Sequence, residues 1–382
     1  LYHKKALKAL VHLEDTSLVS VFLEYLTSLL PKPGDAAKKH AADDAAAAAA
    51  ASRRSPRARK KDKEDKGGAV DASAYYAPYM KLAEVVDVAE SKEADEASAE
   101  PLDAADHTTL EYLFAFCAVW AFGSAAGDRD GVDWKREFSD WFKASFKGVR
   151  FSSRDSVFDF ALDPDTHVFD SWKSSPLFYS VAFDSSTMDM ASVYVPTPET
   201  VAVSFWARRL LDNGRPVMMA GAAGCGKTAL LRGLVSQMDP EAVTSTTINF
   251  NFFTDAAALQ ATLEGTLDRK SGATYGPPGS RRMVFFLDDL NLPELDPYDT
   301  QSAIALVRQH IDYGHWYDRA KQFLKQVINT QYVAALNPTA GSFTINPRLQ
   351  RHFATFAVNF PSSLSLLQIY STFLDGHLAS FS

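Results

Sequence analysis

The chain has 382 residues, enough for two or three ordinary domains, and its 46% hydrophobic and 23% charged residues exclude a wholly disordered or collagen-like polypeptide. A formal charge of −8 gives no basis for a nucleic-acid-binding surface over the whole molecule, since that signature is a basic patch or excess. Two cysteines, Cys117 and Cys225, neither in a CxxC pair, argue against a disulfide framework or a thiolate zinc site and suit a reducing compartment.

No run approaches the roughly 20 apolar residues of a membrane helix, and the N-terminus lacks the basic, apolar and small-residue order of a secretory signal, so no membrane partner is expected. The chain begins at Leu1 without a methionine, which suggests a segment of a longer polypeptide. Residues 1–30 carry Leu7, Leu10, Val11, Leu18, Val19, Val21, Phe22, Tyr25, Leu26 and Leu29 at mainly helical spacing, closed by Pro31 and Pro33. Such a helix needs a neighbour for its apolar side. From 31 to 107 the composition changes: an alanine tract, a basic cluster from Arg53 to Lys66 and an acidic stretch from Glu84 to Asp106. Large apolar residues are too sparse there to offset the entropy of ordering, so a charged, disordered insertion is expected, with a basic interaction arm as the other reading. Tyr75, Tyr76, Tyr79, Met80 and Leu82 form a possible ordered exception within it.

Residues 108–196 read as a connecting region of helices and short strands. The run from Leu110 to Phe122 predicts a core helix in which Cys117 is a buried small hydrophobe. Trp134, Phe138, Trp141, Phe142 and Phe146 predict a second, whose aromatic stripe belongs to packing because no basic face accompanies it. Phe158, Phe160, Val168, Phe169 and Trp172 predict a hairpin around Asp163 to Asp165. Thr197 and Pro198 then cap and open a helix carrying Val203, Phe205, Trp206 and Leu210.

The informative sequence follows. Val217, Met218 and Met219 form a short buried strand, and the next residues read Gly221-Ala222-Ala223-Gly224-Cys225-Gly226-Lys227-Thr228 before Ala229, Leu230 and Leu231. This is GxxxxGK[ST] in the strand, loop and helix context that phosphate binding requires. Glycines let the loop curl so that its amides and the helix start face phosphate oxygens. Lys227 suits the terminal phosphates of ATP or ADP, and Thr228 suits Mg2+. A second apolar strand, Met283 to Leu287, ends in Asp288 and Asp289. Asp288 is the expected metal-side carboxylate. Asp289 stands where a water-polarising base belongs, but it is one methylene shorter than glutamate, so a base and a turn-capping role both stand. Thr246 to Phe253 and Gln331 to Leu336 predict two further strands, and Asn337 after the latter either orients a water or caps the turn at Pro338. Arg348 and Arg351 are not needed for the same chain's phosphates and suit a finger entering a neighbouring site. His310, His315 and His352 lack metal-ligand spacing, which argues against zinc; His315, Trp316 and Tyr317 fit a surface insert.

The phrases GPPGSRRMVFFLDDLNLPELDPYDTQ, LVRQHIDYGHWYD, YVAALNPTAGSFTINPRLQRHF and AVNFPS form one long ordered signature. Together they resemble an AAA+ module of a dynein heavy chain, of the axonemal outer-arm type and the third of its ring, over residues 108–382, with 1–30 resembling the end of the preceding module. The resemblance implies an α/β, P-loop AAA+ large domain with a mainly parallel sheet at 197–360, helical lid-like segments before it, and the start of a helical lid at 361–382. It implies a regulatory ATP-binding module of a ciliary microtubule motor, coupled to neighbouring modules of the same heavy chain and to other heavy, intermediate and light chains. Microtubules would be reached through a stalk absent from this segment, in the cytoplasm and the axoneme of a cilium or flagellum. By similarity Gly221 to Thr228, Asp288 and Asn337 match nucleotide positions, and Arg351, with Arg348 as runner-up, matches the finger for the preceding module's site. The Asp289 departure from an acidic pair ending in Glu argues against autonomous turnover at this module. Two alternatives stand beside the regulatory reading: an ATP-stabilised structural module without turnover, and an AAA+ ATPase whose neighbour-facing arginines remodel another macromolecule.

Overall fold

The computed structural model describes residues 15–29, 104–129, 131–152, 154–163, 168–190, 193–338 and 343–379. The expected charged insertion as far as residue 103 and the aromatic cluster at Tyr75 to Leu82 lie outside the described residues, as do the first residues of the opening helix. The last four residues of the insertion, 104–107, already belong to a helix. Helix α1 (Asp15–Leu29) turns Leu18, Val21 and Tyr25 inward, and the Tyr25 ring lies 4.3 Å from that of Trp206. The next helix, α2 (Ala104–Gly123), supplies the neighbour α1 needs: every residue from Ala115 to Ala121 is buried, so α2 crosses the core. Cys117 is wholly enclosed and burial pushes its thiol pKa up, in keeping with a packing residue.

A ribbon of β1 (Asp128–Arg129) and β2 (Val132–Asp133) leads into α3 (Trp134–Ser145), where the Asp133 side chain accepts from the Arg136 amide. Phe138 and Phe142 of α3 are buried while Trp141 stays exposed. The predicted hairpin is present as β3 (Phe160–Leu162) antiparallel to β4 (Phe169–Ser171). Helix α4 (Pro198–Asp212) starts as its spacing predicts, with Thr197 and Thr200 capping each other and Pro198 in the first turn.

The elements that follow alternate strand and helix: β5 (Val217–Ala220), α5 (Lys227–Ser236), β6 (Val243–Asn249) and α6 (Ala256–Glu264). Next come β7 (Asp268–Ser271), β8 (Thr274–Gly276), β9 (Arg282–Asp288), α7 (Ser302–Tyr313), β10 (His315–Tyr317) and β11 (Leu324–Val327). The last are β12 (Thr330–Leu336), α8 (Pro347–Gln350), β13 (Ala354–Ala357) and α9 (Ser363–Leu378). Five strands form one sheet in the order β13-β5-β12-β9-β6, every neighbouring pair parallel. The four strands expected from the sequence are all in it; β13 completes it at an edge.

Alternation within the central strands explains why they are largely apolar. In β9, Val284 and Phe286 join the cluster that contains α1, α2 and α4, while Met283, Phe285 and Leu287 join a second cluster with α6 and α7. Helices on both faces leave no face of the central strands for polar side chains. Beside this sheet, β10, β11, β8 and β7 form a smaller one, with Trp316 buried and Tyr317 half exposed. That sheet is the insert anticipated at His315 to Tyr317, extended by three strands that the sequence reading did not identify. Among the described residues no helix is long and apolar enough to cross a membrane.

Candidate nucleotide site

In a parallel sheet all carboxyl ends share one edge, and the loops leaving β5, β9 and β12 converge there. This places Gly221 to Thr228, Asp288 with Asp289, and Asn337 side by side although they are far apart in sequence. Gly221 begins the loop where a Cβ would lie 2.2 Å from the Val358 carbonyl oxygen, so no larger residue fits between β5 and the end of β13. Gly224 and Gly226 take φ of 80° and 92°, the left-handed region that opens the loop around a central space. Gly226 is also the cap of α5 and supplies no side-chain hydrogen bond, so the first amides of α5 have no capping side chain.

Lys227 is buried, and its Nζ donates to the Ala222 carbonyl oxygen at 2.7 Å across the loop. Cys225 is buried as well, with Sγ 3.7 Å from that ammonium, a lining atom of the loop wall. Thr228 Oγ1 donates to the Asp288 carboxylate, 3.0 Å from Oδ2 and 3.3 Å from Oδ1. The hydroxyl and carboxylate form an oxygen donor pair of the kind Mg2+ takes while keeping phosphate and water ligands. The residues present therefore fit a magnesium nucleotide.

Asp289 is exposed at φ 55°, and its amide donates to Asp288 Oδ1 at 3.2 Å. Desolvation first, then the neighbouring Asp288 carboxylate, raise its carboxyl above the ordinary aspartate value, and Lys227 pulls it back. The main-chain oxygen of Asn337 accepts from Asn291 Nδ2 at 2.9 Å, and the Asn291 carbonyl accepts from the Phe343 amide. Asn291 is buried and ties the loop after β9 to the end of β12; it was not singled out from the sequence, where a lone polar residue between Leu290 and Leu292 was its only signal. A second tie joins the start of α4 to the start of α9. Ser362 and Ser365 of the α9 start donate to the Glu199 carboxylate, at 3.1 Å and 2.8 Å, and Gln368 donates to the Pro196 carbonyl.

Arg348 and Arg351 are not brought to this edge. Both precede β13, whose first residue Ala354 pairs with Val217, the first of β5, so they sit at the amino ends of the strands. A four-residue strand, about 13 Å of backbone, separates that edge from the loop edge. The Arg348 side chain is exposed and makes no hydrogen bond or ion pair with a described residue, whereas Arg351 reaches Asp312.

Comparison with known proteins agrees with this construction. Residues 183–361 match the family model described as the P-loop containing dynein motor region, and residues 79–174 match the dynein heavy chain AAA lid domain. The chain is 46% identical over 268 residues to dynein axonemal heavy chain 9 of Homo sapiens, covering 70% of this chain and 6% of that protein. It is 44% identical over 279 residues to the dynein alpha chain, flagellar outer arm, of Chlamydomonas reinhardtii, covering 73% and 6%. The flagellar outer arm beta chain of the same organism is 42% identical over 276 residues, covering 72% and 6%. The chain thus spans about 6% of the length of the curated relatives it matches.

Proposed function

The chain belongs to the dynein heavy chain family, as a piece of its AAA motor region, and from that premise we propose that it is a regulatory ATP-binding module of a ciliary or flagellar microtubule motor. The observation that carries the reading is the meeting of Thr228 with Asp288 beside Lys227 at the uncapped start of α5. In this reading Lys227 exchanges the Ala222 carbonyl for the terminal phosphate oxygens, a stronger charge-assisted partner. The loop amides and the α5 start cradle the remaining phosphates. Thr228 and Asp288 would hold Mg2+, which would supply charge neutralisation to the bound phosphates. Asp289, next to Asp288 at the end of β9, polarises water, and Asn337 orients it.

The division at 1–30, 31–107, 108–196, 197–360 and 361–382 accompanies this proposal, with the Glu199 clamp on α9 linking the nucleotide domain to the lid. Arg351, set at the edge opposite the phosphate loop, serves the preceding module's site in the ring. The other partners follow from the same premise: further dynein heavy, intermediate and light chains, and microtubules through a stalk elsewhere in the polypeptide, in the cytoplasm and axoneme. A second reading, nucleotide held for structure without turnover, is favoured by the short Asp289 side chain in its exposed left-handed position.

The test is equilibrium binding of MgATP to matched full-length motors with and without Lys227→Ala. Loss of one binding site, or at least about tenfold weaker affinity there, is expected from removal of a charge-assisted phosphate contact. Unchanged affinity at this module sinks the assignment.

A further inference from the structure

At the amino-terminal edge of the sheet, Arg351 is gripped in two different ways. Its main-chain carbonyl accepts from Ser17 Oγ at 3.0 Å and from Arg215 Nη2 at 3.2 Å. Arg215 is itself held by Glu24 at 2.7 Å and by Ser20 Oγ at 3.1 Å, so helix α1 pins this backbone position. The guanidinium is held far more lightly. Among the described residues Nη2 meets Asp312 Oδ1 at 3.3 Å and Nε donates to His352 Nε2 at 3.4 Å, both long contacts, and the side chain is 49% exposed. The same Oδ1 receives a closer contact, 2.9 Å, from His352 Nε2.

This asymmetry permits a swing of the side chain without a shift of the backbone. A single-oxygen, half-exposed ion pair is weak, whereas a phosphate offers a guanidinium two parallel charge-assisted bonds. Departure of Arg351 also leaves Asp312 bonded to His352, so the less exposed carboxylate is not stranded without a partner. We propose that Asp312 is a positioning residue that parks the Arg351 guanidinium beside α7 until a terminal phosphate in the adjoining module's site takes its place. The proposal rests on the neighbour-site role given to Arg351 above. Parking lowers affinity for the triphosphate, because only the unparked fraction is competent to engage it. It leaves a diphosphate untouched, because the phosphate for which the guanidinium is exchanged is missing.

The experiment uses the full-length motor carrying Lys227→Ala to silence this chain's own site, with MgATP and MgADP as separate equilibrium probes of the preceding module's site. Asp312→Asn is expected to tighten MgATP about two- to fivefold, the range a surface ion pair spans, and to leave MgADP unchanged. Asp312→Glu, which keeps the charge, is expected to return MgATP affinity toward the parent value. In an Arg351→Ala background, Asp312→Asn is expected to change neither nucleotide. Arg351→Ala weakening MgATP while Asp312→Asn does not tighten it overturns parking and keeps the finger. Equal effects of Asp312→Asn on MgATP and MgADP assign Asp312 a purely structural part and also overturn it. Arg351→Ala without effect on MgATP removes the finger and the parking with it.

Discussion

At φ 55°, Asp289 occupies a backbone region that short polar side chains tolerate better than long ones, because they can satisfy nearby backbone groups. The carboxylate that seemed merely short in the sequence therefore has a local conformational reason, invisible in LDDLN because a φ angle is set by the turn. Asp289→Glu would lengthen the reach to a water while leaving Lys227, Thr228 and Asp288 in place. Nucleotide affinity is expected to stay within about twofold, on the order of 0.4 kcal/mol, and turnover assigned to this module to rise. A large loss of single-turnover hydrolysis in a folded variant would show instead that aspartate is the tuned base. The loop from Gly221 to Thr228 was readable because its chemistry is contiguous; Asn291 and Asp312 were not, because each acquires its meaning from a partner, Asn337 or Arg351, many residues away.

Between elements, His310 shows how one residue joins a helix to the sheet and its insert. It lies on α7, its Nδ1 is 2.6 Å from the Tyr332 hydroxyl on β12, and its ring packs 4.9 Å from that of Trp316 on β10. Burial, helped by the His315 charge and opposed by a backbone bond at Val327, lowers its pKa from 6.5 to about 4. The unfolded chain therefore binds the proton more readily, so the neutral ring's contribution is complete above the unfolded pKa of 6.5 and fades as pH falls through about 4. Across that window the loss is on the order of 3 kcal/mol. Denaturant unfolding of the chain at stepped pH should show this slope, and His310→Gln should flatten it; a variant with the parent's slope would assign the acid sensitivity elsewhere. Which of the histidines bridges three elements was not readable, because it depends on strand register. Strands β5, β9 and β12 announced themselves by apolar runs next to motif residues, and β6, which is mostly polar, by its place between the two motifs. Strand β13 and the smaller sheet are short, and β7 is fully exposed, so hydrophobic pattern carried little of them.

The molecule as a whole presents two sheet edges, to each of which the proposed function gives a role. Its phosphate loop, Asp288 and Asn337 lie where the parallel strands end, and Arg351 with Asp312 lies where they begin, held against α1. One continuous cluster runs from α1 and α2 through Trp206 of α4 to Phe356 of β13, giving a packed route from the preceding segment to the sheet. The fold class was legible because strand, loop and helix alternate around a single motif. The pairing of the two edges was not, since it follows from β13 joining β5 in parallel.

The direct measurement is the structure of the full-length motor at saturating MgATP, read at this module. The account predicts a nucleotide at the start of α5, Lys227 Nζ turned from the Ala222 oxygen to the terminal phosphates, and Mg2+ between Thr228 and Asp288. A loop that stays empty under those conditions, with Lys227 still bonded to Ala222 and Thr228 still on Asp288, would contradict it.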